Sequence, residues 1–301
     1  MKQRFFLSPG PGSFHRIAYT EWGPPASPRV ALCVHGLTRN GRDFDVLAGA
    51  LTDDYRVICP DVPGRGLSDW LDDPARYGYP LYLADMKALV KRVTGGPQEP
   101  LWRRLSRWLA GRPRVPQVDW VGTSMGGIIG MMLAAGEASP IRRLVLNDVG
   151  PLVPATALNR LADYVGKDPR FDTPEAFEGY VREIYRAFGP LSGEQWRHLA
   201  RYSHRRAPDG RYAPNYDPAI GAAFARPFEQ DLELWSVWDA IRCPVLVLRG
   251  ADSDLLTRET VRRMQERGPG ARLVEFPGVG HAPALMAADQ IRAVRDFLMA
   301  P

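Results

Sequence analysis

The chain has 301 residues, 45% of them hydrophobic and 24% charged, which is typical of a globular protein with one domain and an inserted subdomain. The net charge of +5 comes from scattered arginines opposed by 34 acidic residues, so no basic module indicates a nucleic-acid partner. The N-terminal stretch lacks the features of a signal peptide, and no apolar run is long enough to span a bilayer. We therefore expect a cytoplasmic protein without stable membrane insertion.

The cysteines and histidines do not form a metal-binding pattern. Cys33, Cys59 and Cys243 each lie at or beside an apolar run, which predicts small buried side chains and neither a disulfide nor a metal set. No Cys/His cluster has metal-ligand spacing. We expect neither a metal nor an organic cofactor.

Short apolar runs alternate with segments of helical periodicity along most of the chain. The predicted strands cover residues 14–20, 30–34, 56–59, 118–121, 144–146, 245–248 and 273–276. The predicted helices cover residues 43–51, 79–93, 128–133, 258–267 and 288–299. This alternation predicts an α/β fold with a doubly wound, mainly parallel sheet.

Two segments interrupt the alternation. Residues 96–116 contain a predicted basic amphipathic helix. We expect its tryptophan face to pack on the rest of the protein; the alternatives are contact with a membrane, with a partner or with a second subunit of a homo-oligomer. Residues 149–238 indicate several helices, beginning near Ala155, Thr173 and Ser192, and no strand pattern. We interpret 149–238 as a helical cap over a core made of 1–148 and 239–301.

The stretch around Ser124 carries the strongest chemical signal. Gly122-Thr123-Ser124-Met125-Gly126 matches the Gly-x-Ser-x-Gly nucleophile elbow, with a predicted strand before it and a predicted helix after it. Such a turn is strained and exposes the serine hydroxyl, while its glycines allow chain segments to pass closely. Ser124 is therefore the predicted nucleophile.

A serine nucleophile needs a base, and the base needs an orienting carboxylate. His281 lies in the loop after the last predicted strand, and this loop opens on the same sheet edge as Ser124. The loop after 245–248 offers Asp252 and Asp254; we favour Asp254, because two leucines follow it and can anchor the loop. Asp252 is the alternative acid, and Asp148, after 144–146, is a third candidate.

The negative charge that develops on a substrate carbonyl oxygen needs two N–H donors. The backbone N–H of Met125, which follows the nucleophile, is the first. The N–H of Leu37, in the loop after 30–34, is the predicted second. We expect His35 to brace this loop by hydrogen bonding and not to transfer protons.

Together these motifs resemble the α/β-hydrolase-fold serine hydrolases, a group that includes esterases, lactonases and carbon–carbon bond hydrolases. The matching landmarks, in order, are HGLTRNGRDF, PDVPGRGLSDW, VGTSMGG, LNDVGP, LRGADSD and GVGHAP. The order Ser, Asp, His along the chain also agrees with this group. Two departures stand out: Arg65 replaces a frequent histidine, and the acid loop is one residue longer than usual. A serine at the elbow disfavours the dehalogenases and epoxide hydrolases of this fold, which use aspartate.

The resemblance implies hydrolysis of a small-molecule carboxylic ester or lactone through an acyl-enzyme. Arg39 and Arg65 lie in loops near the expected site, and either one could pair with the carboxylate of an acidic substrate. A second possibility is a different reaction on the same triad, namely carbon–carbon bond cleavage of a diketone, amide or thioester hydrolysis, or a lyase reaction. A third is a non-catalytic ligand-binding homologue.

Overall fold

The structure is a computed structural model, and it describes residues 1–10, 13–95 and 117–300. The strands, in chain order, are β1 (Lys2–Gly10), β2 (Ser13–Trp22), β3 (Val30–Val34), β4 (Arg56–Pro60), β5 (Val118–Thr123), β6 (Ile141–Asn147), β7 (Leu152–Val153), β8 (His204–Arg206), β9 (Tyr212–Pro214), β10 (Leu232–Glu233), β11 (Val245–Gly250) and β12 (Ala271–Phe276).

The α-helices are α1 (Asp45–Leu51), α2 (Tyr79–Thr94), α3 (Met125–Ala134), α4 (Ala155–Leu161), α5 (Pro174–Ile184), α6 (Gly193–Ser203), α7 (Trp235–Ala240), α8 (Arg258–Glu266) and α9 (Ala288–Met299). Short 3₁₀ helices cover Gly41–Phe44, Pro74–Arg76, Arg186–Phe188 and Pro218–Phe224.

One eight-stranded sheet organises the described residues, in the order β1-β2-β4-β3-β5-β6-β11-β12. The pairs β1–β2 and β2–β4 are antiparallel, and every other neighbouring pair is parallel. The carboxyl ends of β5, β6, β11 and β12 therefore open side by side at one edge, where α/β proteins place their ligands. This topology confirms the predicted fold class.

The central strands are apolar because helices cover both faces of the sheet. All five residues of β3 and all six of β11 are buried. The apolar side chains on the two faces form separate clusters; the larger includes Trp120 and the smaller includes Phe44. Strands buried on both faces have continuous apolar sequences, which is why the runs were readable as strands.

Most of the predicted helices and strands are confirmed. The strands that were not predicted lie at the N-terminus and within residues 149–238. Strand β1 was not predicted; most of its residues are exposed, so its sequence lacks a continuous apolar run. The expected absence of strands in 149–238 was wrong, because β7 pairs with β10 and β8 with β9 in two small antiparallel sheets. These strands have two or three residues, too few to show a periodicity.

The starts of the inserted helices agree with the prediction. The Thr173 side chain accepts from the Ala176 N–H before α5, and Ser192 forms a capping box with Gln195 before α6. Such caps satisfy amide groups that have no partner inside the helix, which makes them readable from the sequence. The predicted helix at 96–116 lies outside the described residues.

Cys33 and Cys59 are buried, as expected, but the expectation that Cys243 is buried was wrong, because its side chain is partly exposed. Within the described part of the chain, no helix is both long and apolar enough to cross a membrane.

Two glycines permit the turn between β5 and α3. A Cβ atom on Gly126 would lie far inside van der Waals contact with the carbonyl oxygen of Val34, and one on Gly122 would overlap the carbonyl oxygen of Gly126. Both obstacles are backbone atoms of the sheet and of α3, which cannot rotate away as a side chain can. The elbow therefore depends on glycine because of close chain packing.

We expect Gly126→Ala to lower the free energy of unfolding by about 1–3 kcal/mol through overpacking. Gly49→Ala is the matched control, because Gly49 lies in α1 with open space at its Cβ position. Alanine there should stabilise the helix by about 0.5–1 kcal/mol. Urea unfolding of both variants measures the difference, and equal effects would show that close packing at Gly126 is unimportant.

Candidate active site

Ser124 sits in the sharp turn between β5 and α3. Its backbone has φ 51° and ψ −118°, a conformation that a residue with a side chain rarely adopts. The Ser124 N–H donates to the carbonyl oxygen of Asn147 on the neighbouring strand β6, at 3.1 Å. The strained turn is thus fixed at the carboxyl edge of the sheet, and its side chain points toward the loop that carries His281.

His281 lies in the loop between β12 and α9, with its ring nearly buried. Its Nε2 is 3.0 Å from the Ser124 Oγ, and its Nδ1 is 2.8 Å from an Asp148 carboxylate oxygen. Because a carboxylate only accepts hydrogen bonds, the ring carries its proton on Nδ1 and leaves Nε2 free to accept the Ser124 hydroxyl. The side-chain amide of Asn147 donates to the Pro283 carbonyl at 2.8 Å and holds the histidine loop against β6.

Asp148 directly follows β6 and is completely buried. Besides His281, its carboxylate accepts from the backbone N–H of Gly250 at 2.8 Å and from the hydroxyl of Ser253 at 2.5 Å. The buried charge is compensated by these three donors, which come from the end of β11 and from the loops after β11 and β12. The structure therefore brings together Ser124, His281 and Asp148 as one hydrogen-bonded chain.

The expectation that Asp254 orients the histidine was wrong. Asp254 is exposed at the surface, and its carboxylate pairs with the guanidinium of Arg160 at 2.6 and 2.9 Å. The alternative acid Asp252 is also exposed, and its backbone N–H donates to the carbonyl of Val279 at 2.9 Å. The loop after β11 instead contributes Ser253, which supports the carboxylate of Asp148.

The strand order explains why Asp148, and not an acid after β11, orients the histidine. Asn147-Asp148 ends the strand that neighbours the Ser124 strand, so its carboxyl end is closer to the nucleophile than that of β11. Asp148 also has a positive φ of 56°, a conformation that aspartate tolerates better than most residues. Ser253 could not be recognised, because nothing in its local sequence sets it apart.

His35 braces the loop after β3 as expected. Its Nε2 accepts from the Val62 N–H at 2.9 Å, so its Nδ1 carries the proton and donates to the Gly36 carbonyl at 2.7 Å. Burial, together with the nearby guanidinium groups of Arg65 and Arg39, lowers the pKa of His35 to about 3, and the ring remains neutral near pH 7. In a trans peptide the Leu37 N–H points opposite to this fixed Gly36 carbonyl.

Leu37, Ser124 and Met125 line the same cavity, which has a volume of about 450 Å³. The Met125 N–H is at the first position of α3, where helical amides have no partner within the helix. The cavity wall is mostly apolar, with side chains from the core and from the inserted segment. It includes Tyr77, Tyr79, Tyr82, Ile128, Val149, Val153, Leu158, Leu161, Ile220, Phe224, Phe228, Leu232 and Leu255.

Neither of the two candidate arginines is an exposed cation in the cavity wall. Arg39 is buried, and Asp43 accepts two of its N–H groups, at 2.8 and 2.6 Å. Arg65 is completely buried behind Leu37 and Met125. In residues 1–10, 13–95 and 117–300, no group of three or more His, Cys, Asp or Glu side chains is placed to hold a metal ion.

Comparison with known proteins identifies the family of the chain. The model of the alpha/beta hydrolase family matches residues 31–294, which include all the side chains of the site. The chain belongs to the alpha/beta hydrolase family. A 3-hydroxybutyrate-oligomer hydrolase of Cupriavidus necator is 44% identical over 295 residues, which cover 95% of this chain and 94% of that protein.

Two solved structures show the same fold. A crystal structure from Rickettsia typhi superposes with a TM-score of 0.87 at 33% identity and covers both chains completely. An alpha/beta hydrolase from Novosphingobium aromaticivorans has a TM-score of 0.80 at 34% identity, over 99% of this chain and 97% of that one. The predicted membership in the α/β-hydrolase-fold group is confirmed.

Matched substitutions of Asp148 and Asp254 test which of these aspartates orients His281. We expect Asp148→Asn to lower kcat/KM for an activated ester by about 10⁴-fold, because the amide favours the wrong histidine tautomer. Asp254→Asn should change kcat/KM by less than about twofold, since it removes only an exposed ion pair. A large loss in Asp254→Asn with an active Asp148→Asn would contradict the arrangement described here.

Proposed function

We propose that the protein is a serine ester hydrolase that acts through an acyl-enzyme on Ser124. The observation that carries the proposal is the series of hydrogen bonds from Ser124 through His281 to Asp148. Its nucleophilic end, Ser124, lines a large apolar cavity. Serine becomes a useful nucleophile when a base accepts its proton, and His281 Nε2 is within hydrogen-bond distance of Ser124 Oγ.

In the acylation step, Ser124 Oγ attacks the ester carbonyl carbon while its proton moves to His281 Nε2. The carbonyl oxygen becomes an oxyanion and is stabilised by the N–H groups of Leu37 and Met125. His281 then gives the proton to the departing alkoxide oxygen. Asp148 holds the histidine in the productive tautomer and stabilises the imidazolium that forms.

In the deacylation step, a water molecule replaces the alcohol. His281 accepts one of its protons, the hydroxide oxygen attacks the acyl carbon, and a second oxyanion forms between Leu37 and Met125. Collapse of this intermediate returns the proton to Ser124 Oγ and releases the carboxylic acid. The reaction needs only the ester and water.

We further propose that the substrate is a short oligoester of a hydroxy acid. The relative from Cupriavidus necator that hydrolyses 3-hydroxybutyrate oligomers is similar along nearly its whole length. The cavity of about 450 Å³ would admit a chain of a few small units, and its apolar wall suits their methyl and methylene groups. Residues 149–238 supply about half of that wall, so we assign them the role of a cap that sets the chain length.

We expect the wild type to hydrolyse 3-hydroxybutyrate dimers and trimers, and p-nitrophenyl esters with a preferred acyl length. Ser124→Ala should lower kcat/KM by at least about 10⁴-fold, because the nucleophile is lost. Ser139→Ala is the control; the hydroxyl of this serine accepts from the Ile141 N–H in a turn before β6, and its loss should leave the rates near wild type.

Several outcomes would reject the proposal. Turnover of a diketone or an amide, with no esterase activity, would favour the other reactions that a serine triad supports. Binding of esters without any turnover would favour a ligand-binding homologue. Rates on esters that survive Ser124→Ala would exclude Ser124 as the nucleophile.

A further inference from the structure

A fully buried guanidinium lies directly behind the two proposed oxyanion donors. The Nε of Arg65 donates to the Leu37 carbonyl at 2.8 Å, and its Nη2 is 3.8 Å from the Met125 sulfur. Its Nη1 donates to the Pro63 carbonyl at 2.7 Å and to the Tyr82 hydroxyl at 2.9 Å. Arg65 therefore touches both residues whose N–H groups are the proposed oxyanion donors.

Arg65 has no acidic partner within the described ranges. Its hydrogen-bond acceptors are two carbonyls, a hydroxyl and a thioether, and its guanidinium lies over the rings of Tyr77 and Tyr82, 5.7 and 5.2 Å from their centroids. All of these groups are neutral, whereas arginine is always protonated. The solvent-exposed fraction of Arg65 is 0%, so water does not screen its charge.

The nearby Arg39 shows the ordinary arrangement for a buried arginine. Its charge is matched by the Asp43 carboxylate, which accepts from Nε and Nη2. A buried cation without such a partner lowers the stability of the fold, because the loss of hydration is not compensated by an opposite charge. A buried, unpaired cation beside the nucleophile therefore calls for a functional explanation, because it does not stabilise the fold.

The proposed reaction creates a negative charge that the Arg65 cation can stabilise. The ester substrate is neutral, but each tetrahedral intermediate carries one negative charge on the former carbonyl oxygen. In a dry site, a fixed cation attracts this charge strongly and affects the neutral substrate little. Such a difference lowers the activation barrier without tightening substrate binding.

The hydrogen bonds of Arg65 also orient the loop. Arg65 turns the Leu37 carbonyl away from the site, and His35 does the same for the Gly36 carbonyl. The lone pairs of these carbonyls are thereby kept away from the developing negative charge, and the intervening Leu37 N–H is held toward it. The charge of Arg65 and the orientation of the loop thus both stabilise the oxyanion.

We propose that Arg65 is a positioning residue that provides the counter-charge for the oxyanion, acting through Leu37 and Met125 without contact with the substrate. This inference rests on the proposed acyl transfer at Ser124. It replaces the expectation that Arg65 pairs with a substrate carboxylate, since the side chain is enclosed.

The substitutions Arg65→Met and Arg65→Lys separate charge from shape. Methionine fills much of the same volume without a charge, while lysine keeps the charge but cannot reproduce the arginine hydrogen bonds. We expect kcat to fall about 10- to 100-fold in Arg65→Met with KM nearly unchanged, and to fall less in Arg65→Lys. Thermal unfolding shows whether each variant is folded.

The charge can be measured directly with a ¹³C-labelled trifluoromethyl ketone, which forms a hemiketal with a serine nucleophile. Its ¹³C shift reports the pKa of the hemiketal oxygen, a stable analogue of the oxyanion. We expect Arg65→Met to raise this pKa by about one to two units and Arg65→Lys to raise it less. The double variant Arg39→Met/Asp43→Asn removes a neutral ion pair and should leave the pKa close to the wild-type value.

The outcomes distinguish the inference from the function on which it rests. If the wild type forms no hemiketal at Ser124, the proposed serine mechanism fails and the role of Arg65 fails with it. If the wild type forms the adduct and Arg65→Met leaves its pKa unchanged, the mechanism stands and the counter-charge is wrong. A rise of equal size in Arg65→Met, Arg65→Lys and the Arg39/Asp43 control would indicate loop disruption and would also overturn the inference.

Discussion

A buried carboxylate must be surrounded by hydrogen-bond donors, and the donors around Asp148 tie the candidate site together. Gly250 reaches it from the end of β11, Ser253 from the loop after β11, and His281 from the loop after β12. The imidazole then extends to Ser124 at the end of β5. The parallel sheet is what brings these four strand ends to one edge, so the chemistry depends on strand order as much as on residue identity.

The sequence was most informative where backbone geometry restricts the choice of residue. The glycines around Ser124 and the caps at Thr173 and Ser192 are local requirements, and the structure confirms the turn and the helix starts that they predicted. The orienting acid was different, because the ends of β6 and β11 reach the same edge and both carry aspartates. Choosing Asp148 over Asp254 required knowledge of which carboxylate is buried, a property of tertiary packing.

Most charged and titratable side chains around the site are buried, and this determines how their charges act. Burial keeps His35 neutral, so it can hold the Gly36 carbonyl without adding a charge near the nucleophile. Asp43 neutralises Arg39, whereas no carboxylate in the described residues pairs directly with Arg65, which leaves a positive charge behind Leu37. None of these pairings was visible in the sequence, where Arg39 and Arg65 were equivalent candidates.

The central claim is that catalysis passes through a covalent ester on Ser124, and rapid-quench mass spectrometry tests it most directly. Mixing the protein with an activated ester and quenching in acid within the first turnover should trap protein heavier by one acyl group. Peptide mapping should place that group on Ser124. Product formed at the full rate with no acylated protein, or an acyl group on another residue, would contradict the mechanism.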